Sequence, residues 1–147
     1  ADVLRIYEVR SLLESGAAEL AASRMSDESL AATGEIVAKA DGLLADADVE
    51  RQLSRLIDLD VKFHQQIVAA CANDYLSREI ARYQRLIRVM QRTGVTVASQ
   101  QAAWKAHRQV LTALVARDPA RSRQMLAYVA GAFADGAAVP PRPRAPS

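Results

Sequence analysis

Residues 53–71 read LSRLIDLDVKFHQQIVAAC. Apolar side chains recur here every three or four positions. Leu53, Leu56, Ile57 and Ile67 fall on one side of a helix, and Cys71 closes the stripe. Asp58, Lys62 and Gln65 fall on the other side. The stretch holds neither glycine nor proline and predicts an amphipathic α-helix over about residues 49–72. Asp60 and His64 interrupt the pattern: they sit one turn apart, in the middle of the apolar stripe.

The flanking sequence is equally helical. Residues 1–118 contain no proline; the five prolines are Pro119, Pro140, Pro141, Pro143 and Pro146. Alanine supplies 29 of the 147 residues and aromatics only 5%. Alanine is the best helix former, whereas an interior proline costs a helix about 3 kcal/mol. A β-sandwich would need Gly- and Pro-rich turns at short intervals. The expected fold is therefore an all-α antiparallel bundle of about six to seven helices.

Working outward from the quoted stretch, helices are expected over about residues 2–25, 26–45, 75–92, 99–116 and 119–133. Ser26 is a good N-cap, with Asp27 and Glu28 in the first turn behind it. Asp46 to Asp48 reads as a connection, and Asn73-Asp74 as a break. Gly94 ends the fourth helix, and Val95-Thr96-Val97 reads as loop. Asp118-Pro119 is a start signal, with Asp as cap and Pro at the first helical position. Residues 136–147 form a Pro/Arg-rich tail expected to be disordered, which leaves 1–135 as one folded domain.

Composition removes other classes. Half the residues are hydrophobic and 24% are charged, so the chain is not intrinsically disordered. No run approaches the roughly 18 apolar residues of a membrane span. The opening ADVLRIYEVR lacks the basic-then-apolar layout of a signal peptide. A single Cys71 excludes an internal disulfide and fits a reducing cytoplasm. Residues 1–60 carry 13 acids and 6 bases, a balance of −7, and residues 61–147 carry 4 acids and 13 bases, a balance of +9. A basic half can bind nucleic acid. Helical phase argues otherwise: Arg78, Arg82, Arg85, Arg88 and Arg92 lie opposite the stripe of Leu76, Ile80, Tyr83, Ile87 and Met90. They form a solvated or partner-contact face.

The polar residues on apolar stripes carry the chemistry. Asp60 and His64 point the same way and can offer two ligands to one ion. His107 lies between Ala103, Leu111 and Leu114 on the inner face of the fifth helix. The competing reading is a buried Asp60–His64 ion pair with His107 bonded to a carbonyl. Arg10 lies on the inner stripe of the first helix with Ile6, Tyr7, Leu13 and Ala17, and Glu14 lies near its edge. Arg10 either pairs with Glu14 or anchors a ligand carboxylate through its guanidinium fork. Trp104 reads as core or pocket wall, and Cys71 as a small hydrophobe.

Three segments together resemble a known family. YEVRSLLESGAAELAASRMSDESL over residues 7–30 is similar to an R-x-x-L-E…A-A-x-L-A-A pattern. LDVKFHQQIVAACANDYL over 59–76 is similar to L-D-x-x-F-H…A-x-x-N-x-x-L, and AHRQVLTALVARDPARSRQML over 106–126 resembles E-H-x-x-I-x-x-A…D…A…M. They resemble the FCD domain, the helical effector-binding domain of FadR-subfamily GntR transcriptional regulators. The resemblance implies a bundle around a central ligand pocket. In many members that pocket holds a divalent metal, here zinc or nickel, and a small carboxylic acid. Asp60, His64 and His107 match three metal ligands. The fourth position falls on Val129, and the usual Glu before the third ligand is Ala106. Asn73 matches the family's Asn and reads as a turn and cap residue. The family's winged helix-turn-helix domain is not among these residues, so the resemblance places DNA binding in a separate N-terminal domain.

The leading expectation is thus an effector-sensing regulatory domain in the cytoplasm: a homodimer that takes a small carboxylate near Arg10 and touches DNA only through another domain. One alternative is a metal-free helical dimerisation module. Another is a metalloenzyme, which would need a general base that no inward Asp or Glu of the third helix other than Asp60 supplies.

Overall fold

Four helix starts carry a side chain that satisfies an otherwise unpaired backbone amide. Ser26 Oγ accepts from Ser29 N at 3.1 Å and Asn73 Oδ1 from Leu76 N at 3.1 Å. Asp118 Oδ1 accepts from Arg121 N at 3.0 Å ahead of Pro119. Thr96 and Ser99 form a reciprocal capping box, with Thr96 Oγ1 accepting from Ser99 N at 3.1 Å and Ser99 Oγ from Thr96 N at 3.0 Å.

The computed structural model describes the backbone of residues 2–90 and 95–135, and the side chains of 4–88 and 95–129. It holds six α-helices: α1 (Asp2–Arg24), α2 (Asp27–Leu44), α3 (Leu53–Ala70), α4 (Asp74–Met90), α5 (Val97–Val115) and α6 (Pro119–Asp135). A short 3-10 helix, Val49–Gln52, precedes α3. There is no strand among the described residues. No described helix is long and apolar enough to cross a membrane. Gly94, Arg92 and the 136–147 tail lie outside the described residues.

Two expected boundaries shift. The third helix was expected from about residue 49, but its first turn is the 3-10 segment and α3 proper begins at Leu53. Val97 is helical rather than loop, because the capping box sets the start of α5 at Thr96.

Helix α1 is central. It packs most extensively on α6 and also on α4, α3 and α5, while α2 lies on α3 and α5. Alanine makes this approach close: Ala17, Ala18, Ala21 and Ala22 have no exposed surface. Ala18, Ala21 and Ala22 join the main core with Leu56, Phe63, Trp104, Leu114 and Met125. Ala17 joins a second cluster with Cys71 and Ile80. A helix buried on several sides carries its polar residues inward too, which is how Arg10 and Glu14 come to be buried.

Arginines fasten the helix ends. Arg117, with φ at +53°, donates to the carbonyls of Ala22 and Met25 and pairs with Asp27 at 3.1 Å. It thereby ties the α5–α6 turn to the α1–α2 turn. Arg24 Nη1 donates to Cys71 O at 2.7 Å, placing a cation at the negative end of α3.

Candidate metal centre

Helix α3 presents Leu56, Asp60, Phe63, His64, Ile67 and Cys71 to the interior. Leu56, Phe63, His64, Ile67 and Cys71 are buried, and the Asp60 side chain is 19% exposed. Ile57, expected on this stripe, is 37% exposed. The inner face is turned toward the Phe63 edge of the stripe, which buries Phe63 and leaves Ile57 exposed. Asp58, Lys62 and Gln65 are exposed, as their phase requires.

Asp60 and His64 meet His107 of α5. Oδ1 of Asp60 stands 3.1 Å from His64 Nε2 and 3.1 Å from His107 Nε2. One donor atom from each residue lies within 4.8 Å of the others. His107 Nδ1 bonds to the carbonyl of Ala103, which can only accept, so Nδ1 carries the proton and Nε2 faces the carboxylate. The ring sits against Phe63, with centroids 4.4 Å apart, and against Trp104, at 4.8 Å. Trp104 is satisfied by donating Nε1–H to Gln100 Oε1 at 3.2 Å.

The donor set suits a divalent ion. One carboxylate oxygen and two imidazole nitrogens are ordinary zinc or nickel ligands. Two donors about 2.1 Å from one ion at right angles lie about 3 Å apart, the spacing found around Asp60 Oδ1. Val129, at the family's fourth ligand position, is buried in the main core and offers no donor.

Arg10 and Glu14 extend the cluster on α1. Arg10 Nε donates to Glu14 Oε2 at 3.0 Å, and His64 Nδ1 lies 3.4 Å from the same oxygen. Gln84 Nε2 of α4 donates to Glu14 Oε1 at 2.7 Å. Glu14 is 1% exposed, a correction to its expected place at the edge of the helix face. Arg10 Nη1 is buried without a hydrogen-bond partner among the described residues.

Electrostatics follow from these contacts. Burial alone would raise the Glu14 pKa, but the charges of His64 and Arg10 and the hydrogen bonds of His64 and Gln84 lower it from 4.5 to about 2. Burial would lower the His64 pKa, yet the charge of Glu14 and the contacts with Asp60 raise it from 6.5 to about 9. Burial also opposes ionisation of Asp60, and His107 followed by His64 outweighs it, holding the carboxyl well below its ordinary value.

Sequence reading singled out Arg10, Asp60, His64 and His107, and the fold brings all four into one connected cluster. It missed Gln84 and Phe63 and misplaced Glu14. Gln84 had a signal: it lies four after Ile80 and three before Ile87, on the apolar stripe of α4. The α4 arginines Arg78, Arg82, Arg85 and Arg88 are exposed, as expected.

Comparison with known proteins places the fold. A GntR protein of Streptococcus agalactiae has a similar structure, with a TM-score of 0.72 and 21% sequence identity. The match covers 91% of this chain and 58% of that one, so this chain spans little more than half of that protein. No curated protein matches significantly in sequence. The sequence profile of the FCD domain matches residues 5–131. The chain therefore belongs to the FCD domain family, the non-enzymatic regulatory domains of GntR-type transcription regulators.

Proposed function

We propose that this domain senses a small organic acid at a divalent metal held by Asp60, His64 and His107, with Arg10 binding the acid's carboxylate. The reading rests on one observation above all: a buried arginine nitrogen without a partner, one carboxylate away from three converging metal-type donors. A buried unpaired donor on a charged group costs several kcal/mol, roughly, unless a ligand satisfies it. A bound ion would supply positive charge and open coordination positions to an acid, the more so because Val129 leaves the fourth position without a protein ligand.

Binding one domain arrangement better than another shifts the population between them. In a FadR-type regulator that shift would reach DNA-binding heads in a separate N-terminal domain, in the cytoplasm. Exposed Leu4 and Leu12 on α1 and Leu86 on α4 support a second copy of the chain packing there. The competing reading, a metal-free dimerisation module, draws on Asp60, whose contacts with both imidazoles satisfy all three residues without an ion. It leaves Arg10 Nη1 unexplained.

Thermal melts of chelator-treated protein decide. Ni²⁺ or Zn²⁺ should raise Tm, and small carboxylates should raise it further. At 100 times Kd the gain is about 2.7 kcal/mol, or about 5–10 °C for a domain of this size. Arg10→Ala should remove the acid's effect and keep the metal's. Absence of both effects in the wild type overturns the proposal.

A further inference from the structure

Three groups converge on the two oxygens of Glu14, and all three are donors. Arg10 Nε and His64 Nδ1 face Oε2, at 3.0 and 3.4 Å, and Gln84 Nε2 faces Oε1 at 2.7 Å. Arginine has no acceptor to offer, so the central residue must accept on every side. A carboxylate does so. A glutamine in its place would turn an amide N–H toward at least one of the three.

The geometry fixes the two functional side chains at once. A histidine ligates through one ring nitrogen while the other holds a proton, and the partner of the second nitrogen selects which. With Glu14 on Nδ1, His64 is left with Nε2 directed at Asp60 Oδ1, 3.1 Å away and on the side of His107. With Glu14 on Nε, Arg10 is left with its buried Nη1 free.

Resting on the metal-and-acid reading above, we infer that Glu14 is the positioning residue of the site: it holds the Nδ1 proton of His64 so that Nε2 is offered to the ion, and it orients Arg10 so that Nη1 is offered to a carboxylate. Glu14 touches neither ligand. It couples them, because one side chain sets the geometry of both partners, and Gln84 braces it from α4.

The test compares wild type with Glu14→Gln, with Glu14→Asp as the carboxylate-retaining variant and exposed Glu8→Gln as control. Ni²⁺ affinity is read from quenching of Trp104, the chain's one tryptophan, and Zn²⁺ affinity from its competition with Ni²⁺. Glu14→Gln should lose about 10–100-fold in metal affinity, as removal of a ligand's hydrogen-bonded support commonly does. Glu14→Asp should recover part of the loss, and Glu8→Gln should match wild type. Nitrogen-15 NMR of the histidine side chains is the second readout. In wild type the His64 Nδ1 proton should be present without metal and persist when Zn²⁺ removes the Nε2 proton. A folded Glu14→Gln with unchanged affinity and an unchanged Nδ1 signal overturns the inference. So does a Zn²⁺-loaded wild type that keeps the proton on Nε2, a result obtainable even if Glu14→Gln fails to fold. A wild type that binds no metal defeats the proposed function instead, and the Nδ1 signal of the metal-free proteins then decides the role of Glu14 alone.

Discussion

His107 Nε2 lies 3.1 Å from Asp60 Oδ1, a contact between residues 47 positions apart on two different helices. His64 Nε2 lies at the same distance, 3.1 Å, from the same oxygen. One carboxylate oxygen therefore gathers both histidines of the chain. Asp60→Asn keeps the shape and removes the charge that binds them. It should lower the stability of metal-free protein by about 1–3 kcal/mol, the cost of weakening a charged, part-buried hydrogen bond. It should also weaken Ni²⁺ binding by about 100-fold or more, since loss of a ligand outweighs the roughly 10–100-fold loss of its support. Urea unfolding and Trp104 quenching measure the two effects separately, and unchanged quenching would remove Asp60 from the ligand set.

The buried pair of Glu14 and His64 gives the metal-free protein a defined pH profile. The folded pKa of His64 is raised from 6.5 to about 9, so its contribution is complete below 6.5 and disappears as pH rises through 9. The folded pKa of Glu14 is lowered from 4.5 to about 2, so its contribution is complete above 4.5 and disappears as pH falls through 2. Stability should be greatest between about pH 4.5 and 6.5 and fall on either side. Urea midpoints across this range in the presence of chelator test it, and His64→Gln should flatten the alkaline limb. Zn²⁺ affinity should move oppositely on that limb, rising with pH, because His64 must release a proton to ligate.

The helices and their starts were legible because their causes are local. Ser26, Asn73 and Asp118 cap the helices that follow them, and each signal lies within three residues of the amide it satisfies. The inward direction of Asp60, His64 and His107 was legible for the same reason, since helical phase alone gives it. Glu14 was misread because phase assumes one apolar face. Helix α1 packs against four others and has no single face, so a charge among alanines can be buried on any side. Gln84 was missed because its partner lies 70 positions away. Ile57 and Phe63 flank the apolar stripe on opposite edges, and the rotation of α3 against its neighbours, set by tertiary packing, covers Phe63 and leaves Ile57 exposed.

The alanines of α1 make a sharp stability prediction. Ala21 is fully buried where α1 enters the main core, and Ala31 is exposed on α2. Ala21→Leu forces extra methylenes into that packed core and should cost about 1–3 kcal/mol. Ala31→Leu should change stability by less than about 0.5 kcal/mol. Equal urea midpoints for the two variants would mean that α1 does not approach its neighbours closely.

Val129 tests the metal site from the opposite direction. It is 2% exposed in the main core and occupies the position where many FCD domains, as the resemblance implies, carry a histidine as fourth ligand. In Val129→His two effects of opposite sign should separate. Without metal, a polar ring of larger volume replaces a buried valine, and stability should fall by about 1–3 kcal/mol. With metal, a third nitrogen can fill the fourth coordination position, and affinity should rise about tenfold or more, equal to about 1.4 kcal/mol of added stabilisation per factor of ten. Chelator competition gives the affinity, and paired melts with and without Zn²⁺ give the stabilities. A variant that loses stability in both melts and gains no affinity would show that position 129 does not face the ion. The three donors around Asp60 would then have to complete their coordination with water or effector alone.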